Sequence, residues 1–266
     1  MLKKETLTFG ADIEAIVTTL TNEPFPICGI VGGTKDKPRN IGGGYFIQED
    51  NVLLEWNIPV TNTKDEFVHA VTSVYDRLRK ELPPSLQMDF TKCTAQYALP
   101  YLMGIPEAQR FGCEPDYNAW TVEQNPRPQA NDPTLRSAAG HIHIGWEKPD
   151  PDDQLEMIRW SDVFVSLPSV WESDDRSRRQ LYGKAGSFRP KEYGVEHRVL
   201  DNYWAFNMNV CKAIYERYMK AATTTASGLK VPTQYYEKIQ KAINEYSVPA
   251  AQQLYKELTN YVQTAG

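Results

Sequence analysis

The sequence predicts an α+β fold, and three observations carry that reading. Short runs with strand-like alternation of apolar and polar residues recur at 7–17, 45–50, 52–58, 140–146 and 195–200. Between and after them lie stretches with apolar residues at helical spacing, at 63–82, 152–167, 204–222 and 233–262. No repeat, low-complexity tract or composition shift marks a second domain. Residues 1–266 are therefore expected to form one domain, with 232–266 as a C-terminal helical cap.

Composition narrows the class. A chain of 266 residues, 41% hydrophobic and 24% charged, is long enough to bury a substantial core. A net charge of -5 argues against wholesale nucleic-acid binding. Cys28, Cys93, Cys113 and Cys211 are scattered with no C-x-x-C spacing, which points to reduced, buried thiols. The N-terminus leads into a strand rather than an apolar signal segment, and no run of about 18 apolar residues could span a bilayer. A cytoplasmic enzyme-sized domain is the expectation.

Taken in order, the first strand places Asp12 and Glu14 on one face with Gly10. Two neighbouring acids repel unless a cation lies between them; the competing reading is the wet face of an edge strand. Residues 21–44 are rich in Pro and Gly. Gly32-Gly33-Thr34-Lys35 lacks phosphate-loop spacing, so a flexible turn is expected. A tight turn at Asp50-Asn51 joins the next two strands, and Leu53, Glu55 and Asn57 share a face on the second. Glu55 is out of place on a plain core strand and suits a metal ligand. Thr63 to Glu66 forms a capping box for a helix with Phe67, Val71, Val74, Leu78 and Leu82 in one stripe, ended by Pro83-Pro84. His69 on this helix reads as a surface residue.

The loop at 111–120 contains Glu114 and Asp116, and the polar, proline-containing segment 123–133 is a candidate lid. His141 and His143 share one face of a strand behind small residues, a pattern that suits a metal or phosphate. The helix at 152–167 is expected to close at Pro168. Then comes the most unusual stretch of this acidic chain, 176–198. It holds Arg176, Arg178, Arg179, Lys184, Arg189, Lys191 and Arg198, spaced by Gly183, Gly186 and Gly194. Glycines let the backbone approach a ligand, and guanidinium forks match phosphate or carboxylate oxygens. Its final strand sets Glu196 and Arg198 on one face. A surface ion-pair cluster is the competing reading.

These segments in this order resemble the glutamine synthetase-like carboxylate–amine ligases, and among them the phage-type COOH–NH2 ligases of type 2. The carriers are F-G-A-D-I-E at 9–14, G-G-T-K at 32–35, D-N-V-L-L-E-W-N-I-P at 50–59, G-H-I-H-I-G at 140–145, and R-R-Q-L-Y-G-K-A-G-S-F-R followed by G-V-E-H-R up to 198. The resemblance implies a curved, mainly antiparallel sheet with helices on its outer face. It implies metal ligation by Asp12, Glu14, Glu55, His141 and Glu196, with Mg2+ as the metal. It implies contact with ATP by His141, His143, Arg178, Arg179, Lys184, Arg189 and Arg198, and catalytic roles for Arg189, Glu196 and Arg198. Asp12 is shorter than the family's usual glutamate, and Lys184 replaces an arginine. The implied reaction joins a small-molecule or peptide carboxylate to an amine through an acyl phosphate, in the host cytoplasm for a phage protein. Glu114 and Asp116 stand where an amine could be oriented. Oligomeric state stays open. Three other readings remain: a guanidino kinase with an arginine-lined phosphate site, a metal-dependent hydrolase using His141 and His143 on Zn2+, and a binding protein that has lost turnover.

Overall fold

A computed structural model describes residues 2–106, 116–128 and 132–265. Among these residues the strands are β1 Thr8–Thr19, β2 Arg39–Gly42, β3 Tyr45–Asp50, β4 Leu53–Asn57, β5 Leu86–Asp89, β6 Thr94–Gln96, β7 Tyr117–Asn118, β8 Glu123–Gln124, β9 Leu135–Ser137, β10 Gly140–Gly145, β11 Ser187–Lys191 and β12 Gly194–His197. The helices are α1 Lys64–Thr72, α2 Tyr75–Glu81, α3 Leu99–Met103, α4 Pro151–Ser161, α5 Leu167–Glu172, α6 Met208–Ala226, α7 Tyr236–Asn244 and α8 Val248–Ala265.

One open antiparallel sheet runs β2-β3-β4-β1-β10-β12-β11-β7-β8, with β5 on the far end of β1, while β6 and β9 pair separately. β1 is central: it pairs with β10 on one side and β4 on the other, which removes the edge-strand reading of its two acids. Strand alternation sends Phe9, Ala11, Ile13 and Ala15 to one side, where they are buried with Trp56, Ile142, Ile144 and Val195. Phe67, Trp160, Phe164, Ile214 and Tyr218 belong to the same apolar cluster, so helices cover this face. Each such fully buried side chain contributes ~1.5–3 kcal/mol. The other face is left for polar side chains.

Local chemistry explains most boundaries and three departures from expectation. The capping box forms: Glu66 N–H donates to Thr63 Oγ1 at 3.2 Å, and the Glu66 carboxylate accepts from Thr63 N–H at 3.3 Å. The helix beyond it breaks near Ser73, giving α1 and α2. Pro168 does not close the third helix. A π turn at Asp162–Ser166 joins α4 to α5, with Pro168 in the first turn of α5. Widening the turn relieves the clash a proline ring makes with the carbonyl four residues back. The glycine-rich segment expected as a flexible turn is closed on a side chain: the Glu49 carboxylate accepts from Gly29, Val31 and Gly32 N–H at 2.7, 2.9 and 2.7 Å. Gly33, at φ +83, is also packed too tightly for a side chain, since a Cβ there would lie 2.4 Å from Ile47 O. Cys93 and Cys211 are free thiols, and among the described residues no helix is long and apolar enough to cross a membrane.

Candidate active site

The antiparallel register lays the polar face out in rows. One row runs from Gln48 through Glu55 to Glu14. The next runs from Asn57 through Asp12 to His141. The third runs from Gly10 through His143 and Glu196 to Arg189. Residues far apart in the chain thus share one surface, with acids gathered toward β3 and β4 and cations toward β11.

At the acidic end, Glu14, Asp50 and Glu55 each offer a carboxylate oxygen within 4.8 Å of the others. Glu14 Oε2 accepts from Ala139 N–H at 2.7 Å. Burial first, and then the charge of Asp50, push the Glu14 carboxyl up to about 7. Burial, Glu14, Asp50 and Asp12 drive Glu55 well above the usual carboxylate range, against a hydrogen bond from Gln48. Arg178 and Arg198 act on Glu14 in the opposite sense and offset only part of this. With Asp50 adding to the raised proton affinity of Glu14 and Glu55, the three carboxylates form a set of hard oxygen donors for a divalent cation.

In the middle row Asp12 Oδ1 accepts from Asn57 Nδ2 at 2.5 Å, and Asp12 Oδ2 lies 2.7 Å from His143 Nε2. His143 Nδ1 is 2.5 Å from the hydroxyl of Tyr193. Burial alone would raise Asp12, but His143 and Asn57 outweigh it and hold it low. Burial alone would lower His143, and Asp12 reverses the sign. Asp12, His143 and Glu196 form a second group whose ligand atoms lie within 4.8 Å of one another. His141 is buried, and burial with Arg198 beside it holds the ring well below its ordinary value, in the neutral form.

At the cationic end Glu196 meets three cations. Arg198 Nη1 donates to its Oε1, Arg189 Nη1 lies 3.4 Å from that oxygen, and Lys191 Nζ lies 2.8 Å from Oε2. Burial would raise the Glu196 carboxyl, but Arg198, the two histidines and Arg189 together hold it far below the usual range. Arg198 Nη1 is also 3.1 Å from His141 Nδ1, and its Nε is 3.5 Å from Asp116 Oδ2. Asn125 Nδ2 donates to Asp116 Oδ1 at 3.0 Å, so Asp116 borders this end of the site.

The structure therefore brings Asp12, Glu14, Glu55, His141, His143, Arg189, Glu196 and Arg198 onto one face. Three expected residues stand elsewhere. Arg178 is 1% exposed, donates from Nη1 to Val199 O at 2.7 Å and has no hydrogen-bond partner for Nε among the described residues; its charge acts on Glu14 and His141. Arg179 is turned into the fold: Asp175, Ser169 and Gly183 O take its donors at 2.6, 2.7 and 3.2 Å, so its guanidinium is occupied internally rather than offered to a nucleotide. Lys184 stands on the turn ahead of β11, held below the usual lysine range by burial and Arg179. Glu114 lies outside the described residues, as do residues 129–131 of the expected lid.

Sequence reasoning missed Asp50, Gln48, Asn57, Lys191 and Tyr193 as neighbours of the site. Gln48 and Asp50 share a face by strand alternation, a signal that was present, but their meeting with Glu14 depends on two strand pairings. Lys191 and Tyr193 flank the β11–β12 turn, and only that turn aims them at Glu196 and His143.

A polar sheet face with buried acids grouped at one end and cations at the other suits ligands that carry charge. Residues 135–265 match the family described as Phage phiEco32-like COOH.NH2 ligase-type 2, so this part of the chain is similar to those ligases. The matched stretch carries β10, β11 and β12, and so His141, His143, Arg189, Glu196 and Arg198. No curated protein matches the chain in sequence. Among solved structures it is similar to a bifunctional glutathione synthetase from Pasteurella multocida, at 11% identity and a TM-score of 0.45. That similarity covers 97% of this chain and 49% of the other, so the chain spans about half the length of that protein.

Proposed function

We propose that this chain is a carboxylate–amine ligase that uses ATP to activate a carboxylate as an acyl phosphate, on a face arranged as in the glutamine synthetase-like enzymes. One observation carries the reading: buried Glu14 and Glu55 group with Asp50, which is not buried, on the sheet face that also bears Arg189, Lys191 and Arg198. Such a division suits a polyphosphate held between a metal end and a cationic end.

The donor set fits magnesium. Oxygen ligands dominate, and burial pushes Glu14 and Glu55 toward the neutral form unless a cation compensates them. Glu14, Asp50 and Glu55 would hold one ion, and Asp12, His143 and Glu196 a second. Bound there, such ions would neutralise phosphate charge and template the transfer.

The chain's own groups supply the rest. Arg189, Lys191 and Arg198, gathered on Glu196, are the cations that would meet the phosphate oxygens. Arg178, buried behind this face, contributes through its charge on Glu14 and His141. Arg198 donating to His141 Nδ1 leaves the ring proton on Nε2, where it can donate to a phosphate oxygen. A substrate carboxylate oxygen attacks the γ-phosphorus and ADP departs. The amine nitrogen then attacks the acyl carbon, the carbon–oxygen bond to phosphate breaks, and the nitrogen loses a proton. Asp116, at the rim beside Arg198, is placed to receive a cationic amine.

The test is ADP formation from ATP and Mg2+ against a panel of amino acids and polyamines, with mass spectrometry of the condensation product. Glu196→Gln and Arg198→Ala should each abolish amine-dependent ADP release with the fold intact. Unchanged turnover in either variant removes that residue from the site. A phosphorylated guanidine product would favour the kinase reading, and hydrolysis without nucleotide the Zn2+ reading.

A further inference from the structure

The helix side of the sheet holds a second polar group, separate from the rows above. Asp162 begins the π turn between α4 and α5 and is fully buried. Its Oδ2 accepts from Gly186 N–H at 2.6 Å and from the Trp120 indole N–H at 2.7 Å. Its Oδ1 accepts from Ser166 Oγ at 2.6 Å and lies 3.3 Å from His197 Nε2. His197, also fully buried, meets the Tyr218 hydroxyl through Nδ1 at 2.7 Å.

The partners of this carboxylate lie next to the cationic end of the site. Gly186 is the last residue before β11, three positions ahead of Arg189. It has φ +75, and a Cβ there would lie 2.6 Å from both Asn118 Oδ1 and Trp120 Cδ1, so the turn is pressed against β7. Ala119 N–H donates to Gly186 O at 2.9 Å, which ties the same turn to the residue before Trp120. His197 stands between Glu196 and Arg198. Strand alternation points it toward the helices while its two neighbours point into the site. One carboxylate thus grips, from behind, both strands that present Arg189, Glu196 and Arg198. The π turn places Asp162 and Ser166 together against His197, and such turns concentrate at functional sites.

We infer that Asp162 is a positioning residue for the ligase reaction. It sets the Gly186 amide, and through it Arg189; it also sets the His197 ring, and through it Glu196 and Arg198. The inference rests on the ligase reading for the ligand these groups serve, whereas the positioning itself is measurable without substrate. Displacement of a phosphate-binding group by about 1 Å costs roughly 10²-fold in rate.

The test compares Asp162→Ala, Asp162→Asn and, as a destabilised control in the apolar core on α1, Val71→Ala. Three measurements are made on the full chain: amide hydrogen exchange at 184–189 relative to α8, binding of a non-hydrolysable ATP analogue with Mg2+, and melting temperature. Asparagine keeps an acceptor for Gly186 and Trp120, and its amide can donate to Ser166. The expected order of local exchange is therefore wild type, then Asp162→Asn, then Asp162→Ala at least about 10-fold faster, with analogue affinity falling in the same order. Val71→Ala should lower the melting temperature without accelerating exchange at 184–189 relative to α8. Unchanged exchange at 184–189 in both Asp162 variants overturns the inference, as does an affinity loss that follows melting temperature identically in all three variants. Should Asp162→Ala not fold, Asp162→Asn decides by the same exchange measurement. A wild-type chain that binds no nucleotide refutes the ligase reading and leaves the exchange result to judge Asp162.

Discussion

Replacing Glu14 by glutamine separates a cation-binding acidic group from an ordinary buried cluster. In the folded chain burial and Asp50 raise its carboxyl from 4.5 to about 7. The folded state therefore holds the proton more tightly than the unfolded one. This group's contribution to metal-free stability is fully favourable below pH 4.5 and declines as pH rises through about 7. The rise is roughly two and a half powers of ten in proton affinity, or about 3 kcal/mol at ~1.4 kcal/mol each. Glutamine can still accept from Ala139 N–H, bonded at 2.7 Å in the native chain, and it carries no charge to desolvate. At pH 8 without metal, Glu14→Gln should be more stable than wild type by up to about 3 kcal/mol, melting ~6–12 °C higher. At pH 4 the two should melt together. Magnesium should reverse the order at pH 8, because it binds the intact acidic group and stabilises the folded state by mass action. Thermal melts from pH 4 to 8, with and without Mg2+, make the comparison. Equal metal-free melting at pH 8, or an equal magnesium-induced rise in both proteins, refutes the reasoning.

Two further substitutions separate architecture from binding. Arg179→Met leaves Asp175 buried without its 2.6 Å partner and should cost ~3–5 kcal/mol in denaturant unfolding, whereas Arg189→Ala should weaken nucleotide binding with little change in melting. An Arg179→Met protein of normal stability and lost nucleotide affinity would return Arg179 to the binding set. Gly194, at φ +152, sits where a Cβ would lie 2.0 Å from Ile144 O, so Gly194→Ala should disrupt the pairing of β10 with β12. The cost should be about 2–4 kcal/mol, and an unchanged urea midpoint would contradict it.

Much of the site was legible because strand alternation is a local rule. Asp12 with Glu14, His141 with His143, and Glu196 with Arg198 each share a face for that reason alone. The capping box at Thr63 was legible on the same grounds, since all its atoms lie within one turn. Arg178, Arg179 and Arg189 look alike in sequence, but their fates depend on contacts outside their own segment. Arg179 is drawn inward by Asp175 and Ser169, while Arg189 is held in register with Glu196.

The sequence by itself determined the kinds of element, the inward side of each strand, and the presence of acids, imidazoles and a glycine-spaced cationic stretch. Only the tertiary structure decided which strands are neighbours. It set Asp12 beside His143 across 131 residues and Asp50 with Glu14 and Glu55, carried the helix past Pro168 through a π turn, and placed Asp162 behind the cationic end. Periodicity is fixed within a few residues, but pairing and register between distant segments are set by the packing of the whole chain, so no local pattern could specify them.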